Sequence, residues 1–209
     1  MRLRNVKNAV NIVNESKYTI DPTKINKEIS SIFNNDKPIC LEIGMGKGDF
    51  LIGMAEKYPS INFIGVELYE SVLVRAIQKL DNLELDNIKV LNMDAKYLND
   101  VFDHDIDTIY LNFSDPWPKN RHAKRRLTSP DFLAVYDKIS NGNTHIVQKT
   151  DNIQLFAYSI SSLSTYGYTI NRVSLDLASE DIPNVLTEYE KKFMANDVRI
   201  NYLDAVKKN

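Results

Sequence analysis

A single cysteine in 209 residues rules out an intramolecular disulfide, and Cys40 lies in an apolar run, as a small buried side chain would. Three histidines, at positions 104, 122 and 145, are too scattered to build a zinc set with that cysteine, so no metal is expected. The apolar runs are strand-length, far short of the ~20 residues a membrane span requires. The basic start, with Arg2, Arg4 and Lys7, is not followed by the apolar stretch of a signal peptide. These absences predict a cytoplasmic protein with no membrane partner. Net charge is nearly absent too, at -2, so a local block of one sign stands out.

That block lies within residues 112–127, which read N-F-S-D-P-W-P-K-N-R-H-A-K-R-R-L. Lys119, Arg121, His122, Lys124, Arg125 and Arg126 follow one another with no acid until Asp131. A phosphate backbone is the partner that best explains such a cluster. Just ahead of it, Asp115 and Trp117 each precede a proline, which disfavours helical geometry and predicts extended backbone at both. The apolar run over 107–113 reads as a buried strand and sets Asp115 past its carboxyl end, where open α/β sheets bind ligands.

The rest of the chain alternates strands with helices. Strands are expected over 39–43, 61–67, 88–93, 107–113 and 144–150. Helices are expected over 50–58 (with Asp49 as its N-cap), 69–80, 130–139 and from about 152 to Gly167, and a shorter one over 26–34. This spacing argues a mainly parallel, doubly wound sheet. The tail differs: residues 168–177 read as a strand without a following helix, and 187–193 alternate in period two. An antiparallel pair at the sheet edge is therefore expected. Residues 1–25 read as a basic arm and 26–209 as one domain, with no linker, repeat or low-complexity segment.

Between the first strand and its helix stands the turn G-M-G-K-G, whose glycines, Gly44 and Gly46 among them, let a ligand approach the backbone. The spacing departs from the dinucleotide fingerprint G-x-G-x-x-G, and Glu42, two residues ahead of the turn, would repel a pyrophosphate. A cationic ligand without phosphate suits it better, and S-adenosylmethionine is one. Glu67 ends the second strand, where an acid can accept from ribose hydroxyls, and Asp94 follows the third, within reach of an adenine amino group. Glu42, Glu67, Asp94 and Asp115 thus mark successive strand ends.

Read together, L-E-I-G-M-G-K-G-D-F, G-V-E, N-M-D-A, Y-L-N-F-S-D-P-W-P-K-N-R-H-A-K-R-R-L, K-T-D-N and T-E-Y-E-K-K-F resemble, in that order, the bacterial tRNA (guanine-N7-)-methyltransferases. The resemblance implies a Rossmann-like class I methyltransferase with a seven-stranded sheet. It implies methyl transfer from S-adenosylmethionine to a guanosine N7 of tRNA, usually at position 46 of the variable loop. Glu42, Glu67, Asp94 and Asp115 match the family's cofactor positions, and Asp115 its catalytic one. Lys119, Asp151 and Thr187, Glu188, Tyr189 and Glu190 match substrate-contacting positions, and residues 121–126 the RNA-contacting segment. Gln148 departs from the family, which has an apolar or aromatic residue before Lys149. Rival readings are methylation of an exocyclic amine, since S-D-P-W stands where amino-methyltransferases carry a D-P-P-Y-like motif, and a non-catalytic RNA-binding module. Tail pairing leaves monomer and homodimer both open.

Overall fold

The computed structural model describes residues 8–25 and 30–208. Arg2, Arg4 and Lys7 of the basic arm lie outside the described residues, as do residues 26–29 of the helix expected over 26–34. Seven strands form one sheet: β1 (Ile39–Ile43), β2 (Asn62–Glu67), β3 (Ile88–Asn92), β4 (Ile106–Asn112), β5 (Ser140–Thr150), β6 (Thr169–Ser174) and β7 (Asn201–Lys207). The strand order is β3-β2-β1-β4-β5-β7-β6, with β1 to β5 parallel and β7 running antiparallel to both β5 and β6. Helices α1 (Ala9–Glu15), α2 (Ser30–Phe33), α3 (Asp49–Lys57), α4 (Glu70–Leu80), α5 (Pro130–Ile139), α6 (Ile153–Tyr166) and α7 (Glu188–Met194) complete the described chain. Strand order reverses between β1 and β4, so their carboxyl ends diverge into a crevice.

β1 and β2 are buried along their whole length because both faces are covered. On one face Leu41, Ile43, Ile64, Ile109 and Leu111 meet α5 and α6 through Leu133, Tyr136, Phe156 and Leu163. On the other, Cys40, Phe63, Ile88 and Val90 meet α3 and α4 through Leu51, Ile52, Leu73 and Ile77, with Val13 of α1 joining them. Residues 18–20 run beside β3: Ile20 N–H donates to Val90 O at 2.8 Å and Val90 N–H to Tyr18 O at 2.9 Å.

The structure differs from the sequence reading at the tail. Residues 187–193 are not a strand: Thr187 caps α7, its side chain accepting from Glu190 N–H while the Glu190 carboxylate accepts from Thr187 N–H. This is a capping box, and the apparent period-two pattern also puts Tyr189 and Phe193 four residues apart on one helical face. The antiparallel partner of β5 and β6 is instead β7. Two smaller differences are local. Gly48, at φ 78°, takes the N-cap position expected for Asp49, which becomes the first helical residue and pairs with Lys79 at 2.6 Å. β5 begins at Ser140, directly after α5, and not at the expected 144, so Asn141 and Gly142 lie in an exposed irregularity of that strand.

Candidate active site

The crevice is built first by the glycine turn. Gly44, Gly46 and Gly48 all hold left-handed φ, at 76°, 59° and 78°, which non-glycine residues adopt at a steric cost. Gly44 and Met45 N–H groups fold back onto Val66 O at 2.8 and 3.1 Å. Beneath the turn the Met45 side chain fills a slot over β2 that exists only because position 65 is glycine; a Cβ there would overlap Met45 Sδ. Above it the space is open, and a Cβ at Gly44 or Gly46 would meet nothing within 4 Å. Glu67 ties the turn to β2, accepting from Gly46 N–H at 3.1 Å and Tyr69 N–H at 3.0 Å. Burial raises its carboxyl above the usual range, with those hydrogen bonds opposing.

Glu42 is 2% exposed. Its Oε1 accepts from Asn112 Nδ2 at 2.8 Å, and among the described residues Oε2 has no hydrogen-bond partner, nor have Asn112 Oδ1 and Ser114 Oγ nearby along the chain. Burial pushes the carboxyl up to about 8, against the Asn112 hydrogen bond and the charge of Lys149. A buried acceptor lacking a donor, beside an open glycine turn, fits a ligand that brings a cationic donor and no phosphate.

On the far side of the crevice, Asp115 is exposed, and its charge acts on Glu67. Its loop is held differently from the expectation. Trp117 has φ 41°, left-handed rather than extended, and Phe113 has φ 50°. The restraint comes from Arg126, whose Nε donates to Pro116 O at 3.1 Å and Nη2 to Trp117 O at 3.0 Å, with its guanidinium 4.2 Å from the centre of the Tyr158 ring. Arg126 is 9% exposed and turned inward, so it leaves the basic surface to which sequence assigned it. Lys119, Arg121, Lys124 and Arg125 are exposed on or beside the 3-10 turn Asn120–Arg125. Arg125 lies 4.7 Å over the Trp117 ring, whose edge also meets His122.

The acids expected to read a substrate separate in the same way. Glu190 is 2% exposed and fully occupied: Oε1 accepts from Asn184 at 2.7 Å, and Oε2 from Lys149 Nζ at 2.7 Å and from Thr187 N–H. Glu188 is exposed and pairs at 2.6 Å with Lys47 of the glycine turn. Asp151 is exposed just past β5. Asp94 is half-buried and caps the 3-10 turn Ala95–Asp100 through Lys96 N–H, its other oxygen pairing with Lys96 Nζ. Tyr189, 55% exposed, stacks at 5.8 Å on Phe113, which also stacks on Phe193. Sequence reasoning missed Lys47, Asn112 and Lys149. Only the last left a signal, the single lysine of the strand expected over 144–150. Gln148 is buried level with Leu111 and Leu203 in the sheet, and among the described residues neither of its amide atoms is bonded, so its departure from the family pattern is a feature of the core.

Residues 36–203 match a family model described as "Putative methyltransferase". The tRNA (guanine-N(7)-)-methyltransferase of Geobacillus thermodenitrificans is 51% identical over 211 residues, spanning 99% of this chain and 98% of its own. That of Bacillus licheniformis is 46% identical, spanning 98% of each. Among solved structures, an antibiotic-related methyltransferase superposes with a TM-score of 0.68 at 16% identity, covering 93% of this chain and 98% of that one. The 16S rRNA methyltransferase KamB superposes with a TM-score of 0.69 at 11% identity, covering 87% and 93%. Both share the fold.

Proposed function

The chain belongs to the tRNA (guanine-N(7)-)-methyltransferase family, and we infer from this membership and the site that it transfers a methyl group from S-adenosylmethionine to N7 of a guanosine in tRNA. Position 46 of the variable loop is the target the resemblance implies, and the cytoplasm is where that substrate lies. The observation that carries the reading is the buried, half-satisfied carboxylate of Glu42 beneath an open glycine turn.

S-adenosylmethionine, when bound, supplies a methyl group made electrophilic by its positive sulfur. Glu42 then meets a cation, which favours loss of the proton that burial holds on its carboxyl. Each Glu67 oxygen takes one backbone N–H, and a carboxylate oxygen has a second lone pair for a ribose hydroxyl. Asp94 offers acceptor capacity to an adenine amino group, and Gly44 and Gly46 leave room for close backbone approach.

Guanine N7 carries an in-plane lone pair and no proton at neutral pH, so no general base is needed. The purine becomes cationic as the bond forms. Asp115 is the catalytic residue of this reading: it accepts from the guanine Watson–Crick N–H groups, orients N7, and its charge favours the developing cation. Tyr189, braced by Phe113, offers a ring face to a base, and the exposed carboxylates of Asp151 and of Glu188, the latter paired with Lys47, are the acceptors at the substrate side. Lys119, Arg121, His122, Lys124 and Arg125 hold tRNA phosphates. Thr187 and Glu190 act from within, by fixing α7.

The test is to incubate the protein with methyl-labelled S-adenosylmethionine and unmodified tRNA transcripts, digest, and identify the labelled nucleoside. Label on N7-methylguanosine is expected. Label on an exocyclic amine, or tight tRNA binding with no label, would overturn the reading.

A further inference from the structure

We propose that Lys149 is a positioning residue that sets both halves of the site at once, holding α7 through Glu190 and setting a buried positive charge on the sheet face from which Glu42 meets the cofactor. The proposal rests on the functional reading above and deepens it. In sheet register Lys149 lies opposite Asn112, and Glu42 lies opposite Tyr110, two residues before Asn112. Glu42, Asn112 and Lys149 therefore stand on one face of three adjacent strands. Lys149 is 2% exposed, and its ammonium lies 4.6 Å from the centre of the Phe50 ring and donates to Glu190 Oε2, Asn184 Oδ1 and Val185 O. Its backbone carbonyl takes Phe113 N–H at 2.8 Å, at the start of the Asp115 loop.

Anchoring a helix does not require a buried charge. Glu190 already accepts from Asn184 and from the backbone of Thr187, and a buried ion pair is often no more stabilising than apolar residues of the same volume. What a lysine adds is a positive field on Glu42. The other charged groups acting on Glu42 are Glu67 and Asp49, which both push its proton on; Lys149 and the Asn112 amide pull it off. The same cation thus favours the carboxylate that receives the cofactor and fixes the helix that carries Glu188 and Tyr189.

The experiment compares Lys149→Met, the double variant Lys149→Met/Glu190→Gln, and Glu42→Gln. Calorimetric titration with S-adenosylhomocysteine runs from pH 6 to 9.5, beside thermal unfolding. The double variant removes both buried charges and keeps the test open should the single variant fail to fold. In it, unfolding temperature is expected to return towards wild type, while the ascending limb of cofactor affinity stays about one pH unit higher, a loss of about tenfold at pH 7. A purely structural ion pair would restore both, so an unshifted limb in the folded double variant overturns the role of Lys149 and leaves the cofactor reading standing. A Glu42→Gln variant with wild-type affinity at every pH overturns both, through the cofactor reading.

Discussion

The loops that leave β1 and β4 face one crevice and enter the same left-handed backbone region by opposite means. The glycine turn does so at Gly44, Gly46 and Gly48, where no side chain objects. The proline loop does so at Phe113 and Trp117, where each left-handed residue costs roughly 1–2 kcal/mol and something must hold it. Arg126 and the Lys149 carbonyl are what hold it. One loop is shaped by permission and the other by restraint. Permission suits a turn that must leave open space above it; restraint suits a loop that must present one carboxylate in one place.

If presentation of Asp115 is the purpose of the restrained loop, Asp115→Asn should lower kcat on tRNA by about 10²–10³-fold, the scale seen when one preorganised electrostatic group is lost. Near-normal turnover in steady-state kinetics would remove the reason for the strain. The acid under the permissive turn should show itself through pH instead. Glu42 is raised from 4.5 to about 8, so the folded chain keeps a proton there that the unfolded chain has released. Stability should therefore fall as pH rises from about 4.5 to about 8, by on the order of a few kcal/mol, with Glu67 adding in the same direction. Thermal unfolding of Glu42→Gln should flatten that slope.

The restraint itself breaks at Arg126. Arg126→Met strands two carbonyls and frees the loop, and should cut kcat/KM for tRNA by about 10- to 100-fold while leaving S-adenosylhomocysteine affinity within about twofold. Arg126→Lys should not rescue it, because an ammonium cannot reproduce the two-pronged contact and the stacking on Tyr158. The mirror-image change is Gly65→Ala, which evicts Met45 from its slot. It should destabilise by about 1–3 kcal/mol and weaken cofactor binding while tRNA binding in the absence of cofactor is retained. Equal losses of both ligands in filter binding would mean that the two loops move as one body.

What could be read in advance follows the same division. The glycine turn and the acids Glu42, Glu67, Asp94 and Asp115 were legible because each is a local signal, a residue type at a strand end. The run of strands and helices was legible for the same reason. The restraint was not. Within K-R-R nothing local separates Arg126, which turns inward, from Arg125, which turns outward; the difference is Tyr158, on another helix. A proline after Trp117 argues for extended backbone, and two hydrogen bonds from Arg126, nine residues further on, hold it otherwise. α7 is the instructive error, since T-x-x-E is itself a start signal for a helix, and a short period-two pattern outweighed it.

The strip of chain at residues 18–20 has a consequence beyond packing. A sheet with β3 and β6 at its ends has two rims of unpaired peptide groups, and such rims invite other chains to add strands. At β6 the rim carries Arg172, paired with Glu180, and an exposed Asn171. At β3 the shield is the chain itself, with Tyr18 and Ile20 taking up the peptide groups of Val90. The amino-terminal segment thereby covers part of that rim, one of the ways a sheet is made a poor template for another chain, and it does so before the first strand of the fold is reached.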